Sequence, residues 1–210
     1  SVEHHALGED PHNYASFGFK RLRSINAYPS GRVKVFPIDI TAPLSEGVKR
    51  EIGNDVDLFI HMAAESHVDN SISNPRESFL NNINGTIETL EYARTLPNLE
   101  MYFYFSTDEV YGSAPEGTAF KEWDRHKPTN PYSAGKSAAE NICIAYENTY
   151  KLPLMSINVM NAFGARQHVE KYIPKTIKNV LNKEKVLIHS YPDKQKAGSR
   201  FYIHARNIAA

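Results

Sequence analysis

Leu99-Glu100-Met101-Tyr102-Phe103-Tyr104-Phe105 is an apolar, aromatic run that reads as a buried strand, and Ser106-Thr107-Asp108-Glu109-Val110-Tyr111-Gly112 follows at its carboxyl end. In open α/β sheets, ligands bind outside the carboxyl ends of the strands, so reactive side chains are expected to project here. An Asp-Glu pair can equally cap a turn or stay solvated. In a partly closed pocket, adjacent carboxyls are instead driven to different pKa values, one kept protonated as an acid and one ionised as a base.

Further along, Asn130-Pro131 opens a segment that runs to about Tyr150. Asn is a favoured N-cap and Pro a favoured first helical residue. Ala134, Ala138, Ile142 and Ala145 recur at helical spacing, which predicts one long amphipathic helix. Tyr132 and Lys136 stand on it at i and i+4, on one face. A phenol with a pKa of about 10 is no base near neutrality, but a neighbouring ammonium lowers that value. Tyr132 could then take a proton from an alcohol while hydride leaves. The bare spacing is also that of any solvated helix face.

The rest of the chain alternates strand and helix patterns, which predicts an α/β fold built on a parallel sheet. Arg32 to Ile40 alternates and ends in an acid, Ala42 to Ile52 reads as a short helix, and Asp57 to Met62 as the next strand. Asn74-Pro75 begins a helix carrying Leu80, Ile83, Ile87, Leu90 and Ala93 at helical spacing, and Leu152 to Val159 is a further strand. Beyond Phe163 the pattern changes: a helix from Pro174 to about Leu181, a short strand Val186 to His189, and a polar loop Lys194 to Ser199.

Composition narrows the function classes. The 210 residues, 41% of them hydrophobic, suffice for a real core and for one domain with part of a second. Twenty-four basic against 24 acidic residues leave no net charge and no basic block for nucleic acid. The single cysteine, Cys143, excludes an internal disulfide and suits a reducing cytoplasm, read otherwise as a small buried apolar residue. There is no apolar run of membrane-spanning length and no signal peptide at Ser1, so a cytoplasmic protein without membrane attachment is expected. His4, His5 and His12 lie in an irregular stretch without carboxylates at ligand spacing, and no metal is expected.

Taken together, S-T-D-E-V-Y-G and Y-S-A-G-K resemble the extended short-chain dehydrogenase/reductase family and, within it, the nucleotide-sugar 4,6-dehydratases. Ala63-Ala64-Glu65-Ser66-His67-Val68-Asp69-Asn70-Ser71 is similar to the family's A-A-E-S-H-V-D-x-S segment, and Asn82-Ile83-Asn84-Gly85-Thr86 to its N-x-x-G-T helix element. Asn161 with Glu170-Lys171-Tyr172-Ile173-Pro174, and Arg200-Phe201-Tyr202-Ile203-His204, resemble its nucleotide-sugar segments. The resemblance covers roughly Val33 to the carboxyl end. Epimerases of the family usually lack the Asp-Glu pair.

The resemblance implies a Rossmann-like parallel sheet flanked by helices, over residues 1–160, as a partial NAD-binding domain. Residues 161–210 would begin a smaller nucleotide-sugar-binding lobe. It implies NAD as cofactor, held by Asp39, Ile40, Ala63, Ala64, Glu65, Ser106, Tyr132 and Lys136. Thr107, Asp108, Glu109, Tyr132 and Lys136 would be catalytic, and His67, Asn161, Glu170, Lys171 and Arg200 would bind substrate. Arg166, with Lys171 and Arg200, forms a positive set where a diphosphate would lie, although each alone reads equally as a solvated cation. The activity implied is conversion of a dTDP-glucose-type substrate to its 4-keto-6-deoxy form, in a homodimer joined through two long helices, Pro75–Arg94 and Pro131–Tyr150. Residues alone leave the nucleotide base and NAD against NADP open.

Two departures bear on this. The family begins with a strand and G-x-x-G-x-x-G, whose amides hold a pyrophosphate, and Gly8, Gly18 and Gly31 do not have that spacing. The chain is therefore expected to start roughly 35 residues into a complete member, the length of a strand–loop–helix–strand unit. It ends just after Arg206-Asn207-Ile208, where the family usually has Asp in place of Asn207. An epimerase or decarboxylase of nucleotide sugars, and a binding fragment without catalysis, are the alternatives.

Overall fold

The computed structural model describes residues 33–210 apart from 166, 191–194 and 196. The expectations for His4, His5, His12, the first three glycines and Arg166, and part of that for the 194–199 loop, lie outside the described residues. The apolar run that opened the reading is strand β2 (Met101–Thr107), and it lies in the middle of a three-stranded sheet. On one side β1 (Leu58–His61) runs parallel to it, with Leu58 opposite Met101 and His61 opposite Tyr104. On the other lies β3 (Leu154–Val159), entered where the Tyr102 amide donates to the Pro153 carbonyl at 2.7 Å.

Helices fill the connections. A short α1 (Glu46–Ile52), capped by the Ser45 hydroxyl, precedes β1, and α2 (Val68–Ser73) and α3 (Pro75–Ala93) carry the chain from β1 to β2. After β2, a single 3-10 turn (Asp108–Tyr111) and a long loop lead to α4 (Pro131–Tyr150), which returns the chain to β3. α3 and α4 pack on each other and against the sheet face to which Tyr102 and Tyr104 point. Leu90, Ala93, Tyr102, Tyr104, Ala139, Cys143 and Leu152 are the core of this layer. Alternate burial along β2 follows from the two-residue period of a strand packed on one side.

The long helices are buried on faces that only partly match the predicted ones: Leu90 and Ala93 are in the core as the spacing expects, but much of the inward face is polar or small. On α3, Leu80 is exposed, and the inward stripe is Ser78, Asn82, Gly85, Thr86 and Thr89, leading to Leu90 and Ala93. On α4 the buried residues include Ser133, Lys136, Glu140 and Cys143, whereas Ala145 is exposed. Small and hydrogen-bonded side chains are preferred here because the helices approach each other closely. A Cβ on Gly135 of α4 would already meet Phe79 of α3 at 3.4 Å, and on another side of α3 one on Gly85 would meet Ile40, in the turn that precedes α1, at 3.4 Å. The threonines satisfy their hydroxyls on the helix itself, Thr86 on the Asn82 carbonyl and Thr89 on the Gly85 carbonyl, both at 2.8 Å.

Two predicted strands do not form. Residues 33–39 make no ladder pairing, and Val186 to His189 make none either, with only an isolated bridge between Ser190 and Ala197. A strand needs a hydrogen-bonded neighbour, and none of the strands among the described residues pairs with either segment. The described residues divide into two compact units, the first reaching to Ile157 and the second covering Asn158–Ala210. In the second, β4 (Asn161–Phe163) and β5 (Tyr202–His204) pair in parallel across α5 (Tyr172–Leu181), which starts two residues before Pro174, and a short α6 (Ala205–Ile208) follows.

Candidate active site

The end of β2 and the start of α4 meet in the first unit. Thr107 ends β2 and caps the 3-10 turn, its Oγ1 accepting from the Glu109 amide at 3.3 Å. That turn sets Asp108 and Glu109 half-buried beside the first turn of α4, where Asn130 Nδ2 donates to Glu109 Oε2 at 3.4 Å. The carboxyl end of the turn is fixed by Gly112, which has φ +80° and lies so close to the Lys127 carbonyl that a Cβ would collide with it.

Tyr132 sits in the first turn of α4. That helix is held by a capping box: the Asn130 side chain accepts from the Ser133 amide at 2.9 Å, and Ser133 Oγ accepts from the Asn130 amide at 3.2 Å. The Tyr132 amide, otherwise one of the orphan donors of a helix start, donates to buried Ser71 Oγ at 3.1 Å. Burial pushes the phenol up to about 12; Glu109 and then Asp108 push the same way, and a hydrogen bond with Thr107 opposes them. Thr107, Asp108, Glu109 and Tyr132 therefore act on one another in one place.

Lys136 is buried one turn further on, and its ammonium donates to the Phe105 carbonyl at 2.6 Å, 4.3 Å from the Tyr104 ring centroid. Burial pushes it down to about 8, against Cys143 and Glu140. The spacing predicted an ammonium that lowers the Tyr132 pKa, and the structure corrects this: the ammonium is directed to a strand carbonyl, and desolvation with two carboxyls sets the phenol.

Beneath lies His61, between Thr86 Oγ1 at 3.3 Å and Thr89 Oγ1 at 3.5 Å and stacked on Tyr104, with its ring centroid 5.8 Å away. Burial, and after it the charge of Lys136, pushes it down to about 4, so it is neutral near pH 7.

The loop after β1 carries the other candidates. Ala63 and Ala64 leave the strand end with nothing larger than a methyl group, and the Asn82 side chain clasps the Glu65 backbone, accepting from its amide at 2.7 Å and donating to its carbonyl at 3.1 Å. The Glu65 carboxylate turns back onto the His67 amide at 3.0 Å, and His67 caps α2. Asp39 Oδ1 accepts from the amide and hydroxyl of Thr41, at 2.9 and 2.8 Å, as a turn former, and Ile40 packs against Gly85. Ser106 Oγ donates to Glu140 Oε2 at 2.5 Å.

The remaining candidates lie in the second unit. Asn161 stands on β4 and donates to the Phe201 carbonyl at 3.3 Å; Lys171 is the N-cap residue of α5; Glu170 is exposed, 3.5 Å from His168; Arg200 is exposed and donates to the Ser199 carbonyl. The sequence marked Asn130 as the N-cap, which it is, but not its bond to Glu109, and it missed the roles of Ser71 and Glu140. For Glu140 a signal was present, since it continues the Tyr132–Lys136 face by one more turn.

A tyrosine and a lysine one helical turn apart at the carboxyl edge of a parallel sheet define a short-chain dehydrogenase/reductase architecture. The chain belongs to the GDP-mannose 4,6 dehydratase family, whose profile matches residues 8–209. It is 36% identical over 160 residues, 75% of its length, to a trifunctional UDP-glucose 4,6-dehydratase/UDP-4-keto-6-deoxy-D-glucose 3,5-epimerase/UDP-4-keto-L-rhamnose-reductase of Arabidopsis thaliana, and spans 24% of that protein. It is 41% identical over 134 residues, 60% of its length, to the dTDP-glucose 4,6-dehydratase of Haemophilus influenzae, spanning 40% of it. Its fold is similar to the dTDP-glucose 4,6-dehydratase of Streptomyces venezuelae, solved with NAD bound, at a TM-score of 0.76 and 31% identity, covering 88% of this chain and 56% of that one. The chain thus spans well under two thirds of the length of these relatives. Among the described residues, no helix is long and apolar enough to cross a membrane, and no cluster of three metal-ligating side chains occurs.

Proposed function

We propose that this chain carries the chemistry of a nucleotide-sugar 4,6-dehydratase acting with NAD on a dTDP-glucose-type substrate. One observation carries the reading: Asp108 and Glu109 both bear on the phenol of Tyr132, to which Thr107 is hydrogen-bonded. An oxidation site needs only the tyrosine and the lysine. Two carboxyls beside it supply an acid and a base for a second step, elimination.

The chain's own residues fit a dinucleotide. Ala63 and Ala64 leave room at the end of β1, and Asn82 holds that loop by its backbone, so no bulky side chain is needed there. Asp39, Ile40, Glu65 and Ser106 complete the proposed cofactor set with Tyr132 and Lys136, in a cofactor part of residues 1–160. What bound NAD supplies is a sink for the C4 hydride and later the hydride that C6 receives. Tyr132 takes the proton of the sugar 4-hydroxyl while Thr107 hydrogen-bonds the same oxygen. Lys136, held by the Phe105 carbonyl one turn below Tyr132, is proposed to hold the cofactor rather than to charge the phenol. The ketone so formed acidifies the C5 proton. Glu109 removes that proton as Asp108 protonates the departing C6 hydroxyl, and water leaves.

His67, Asn161, Glu170, Lys171 and Arg200 are proposed to hold the sugar nucleotide, the last four in a lobe over residues 161–210. A cytoplasmic homodimer completes the proposal, joined by the outer faces of α3 and α4, which leave Leu80, Ile144 and Tyr150 exposed.

Incubation with dTDP-glucose and NAD tests the function. The product should lose the mass of one water. Asp108→Asn and Glu109→Gln should still reduce NAD at C4 yet release water about 10²–10⁴-fold more slowly. If both variants dehydrate at the parent rate, the assignment is wrong. A product of unchanged mass would mark an epimerase, loss of carbon dioxide a decarboxylase, and no detectable NAD binding a chain without catalysis.

A further inference from the structure

Glu140 is buried, and an ionised carboxylate in that position is costly unless it is paired or hydrogen-bonded. It has partners on several segments. Oε2 accepts from Ser106 Oγ at 2.5 Å, at the end of β2. Oε1 lies 3.8 Å from Nε2 of half-buried His126, in the loop between the 3-10 turn and α4. Nδ1 of the same histidine is 2.9 Å from Ser137 Oγ on α4, and its ring meets Tyr111 edge-on with centroids 5.2 Å apart. Tyr111 belongs to the 3-10 turn that carries Asp108 and Glu109, and it stacks on Phe120 of the loop. One carboxylate thus connects the strand that ends at Thr107, the loop, and the helix bearing Tyr132 and Lys136.

We infer that Glu140 is a positioning residue: through Ser106 and His126 its carboxylate locks the Thr107–Glu109 turn against α4 and keeps a negative charge beneath Lys136. It deepens the dehydratase reading and rests on it for its kinetic arm alone. Several groups act on or lie against Lys136: Glu140 and Cys143 on α4, Tyr104 on β2 and His61 on β1, while Tyr132 stands one turn before it on α4 with Asp108 and Glu109 acting on that phenol. Burial pushes the Cys143 thiol up to about 12 and His61 is neutral near pH 7, so neither charges Lys136 there. Tyr132 and Tyr104 are likewise uncharged phenols at that pH. Glu140 is the acid on α4 that supports the lysine.

The test titrates Lys136 in the chain without cofactor or substrate, by carbon-13 NMR of labelled lysine, assigned with Lys136→Arg. Glu140→Gln should move the Lys136 midpoint to lower pH by at least about half a unit. Glu140→Asp and Ser106→Ala both keep the charge, so the midpoint should stay at the parent value. An unmoved midpoint in Glu140→Gln overturns the inference. If Glu140→Gln does not fold, a midpoint displaced in either charge-keeping variant does so. In the turnover assay, Glu140→Gln should lower kcat about tenfold or more, leave KM within about twofold, and shift the alkaline limb of the pH profile downward. A loss of thermal stability with an unmoved limb would reduce Glu140 to packing and overturn the inference. If the parent shows no turnover, the dehydratase reading fails, while the NMR titration still decides Glu140.

Discussion

Asn130 holds Glu109 with the same side chain that starts the helix of Tyr132: Oδ1 accepts from the Ser133 amide at 2.9 Å while Nδ2 donates to Glu109 Oε2 at 3.4 Å. The cap and the proposed base are therefore two ends of one amide. Asn130→Ala should destabilise the chain by about 1 kcal/mol through the lost cap, read as a shift in urea midpoint. Asn130→Asp should keep the cap but place a second carboxylate against Glu109. Stability near the parent's with a slowed elimination step is the expected pair of results, and unchanged elimination would separate the amide from the site.

His61 gives the fold a pH dependence. Its folded pKa of about 4 lies below the ordinary 6.5, so the unfolded chain takes up the proton first as pH falls. Stability present above pH 6.5 is lost progressively toward pH 4, by about 2 kcal/mol at pH 5. Urea denaturation at pH 7.5 and pH 5 should show this difference in the parent and lose most of it in His61→Gln.

Lys136 works in another window. Its folded pKa of about 8 is depressed from 10.5, so protonation of the unfolded chain opposes folding increasingly as pH falls from 10.5 to about 8 and fully below that. Between pH 8 and pH 10, the parent should gain about 2 kcal/mol relative to Lys136→Met. Equal pH dependence in the two proteins would mean that the ammonium is far better solvated than its burial implies.

Gly112 should tolerate no side chain. Its positive φ is strained for any L-residue, and a Cβ there would collide with the Lys127 carbonyl. Gly112→Ala is expected to cost about 2 kcal/mol or more in thermal unfolding. Gly117→Ala, at φ +76° but with open space around it, should cost less and separates strain from collision.

Much of this was legible. Pro131–Tyr150 announced both helix ends, because an Asn-Pro start has a mechanism and the pattern behind it is long. β2 was legible as an unbroken apolar run. The buried faces of α3 and α4 were legible only in part, at Leu90 and Ala93, since hydrophobic spacing looks for leucines and alanines. The buried residues also include Asn82, Thr86 and Thr89 on α3 and Lys136 and Glu140 on α4, each acceptable inside through a partner far away in sequence. Residues 33–39 and 186–189 show the opposite error: an alternating pattern gives a segment the capacity to be a strand, but only a neighbour makes it one. The site followed the same rule. Tyr132, Thr107, Asp108 and Glu109 could be picked out by motif, whereas the direction of the Lys136 ammonium depended on a carbonyl that no spacing reveals.

The clasp of Asn82 on Glu65 imitates, with one side-chain amide, the two-bond exchange that a peptide group makes with its neighbour across a ladder. Such a grip reads main chain alone. The clasp by itself would hold position 65 whatever its side chain, save proline, which has no N–H to offer, and so leaves the Glu65 carboxylate to its own partner, the His67 amide.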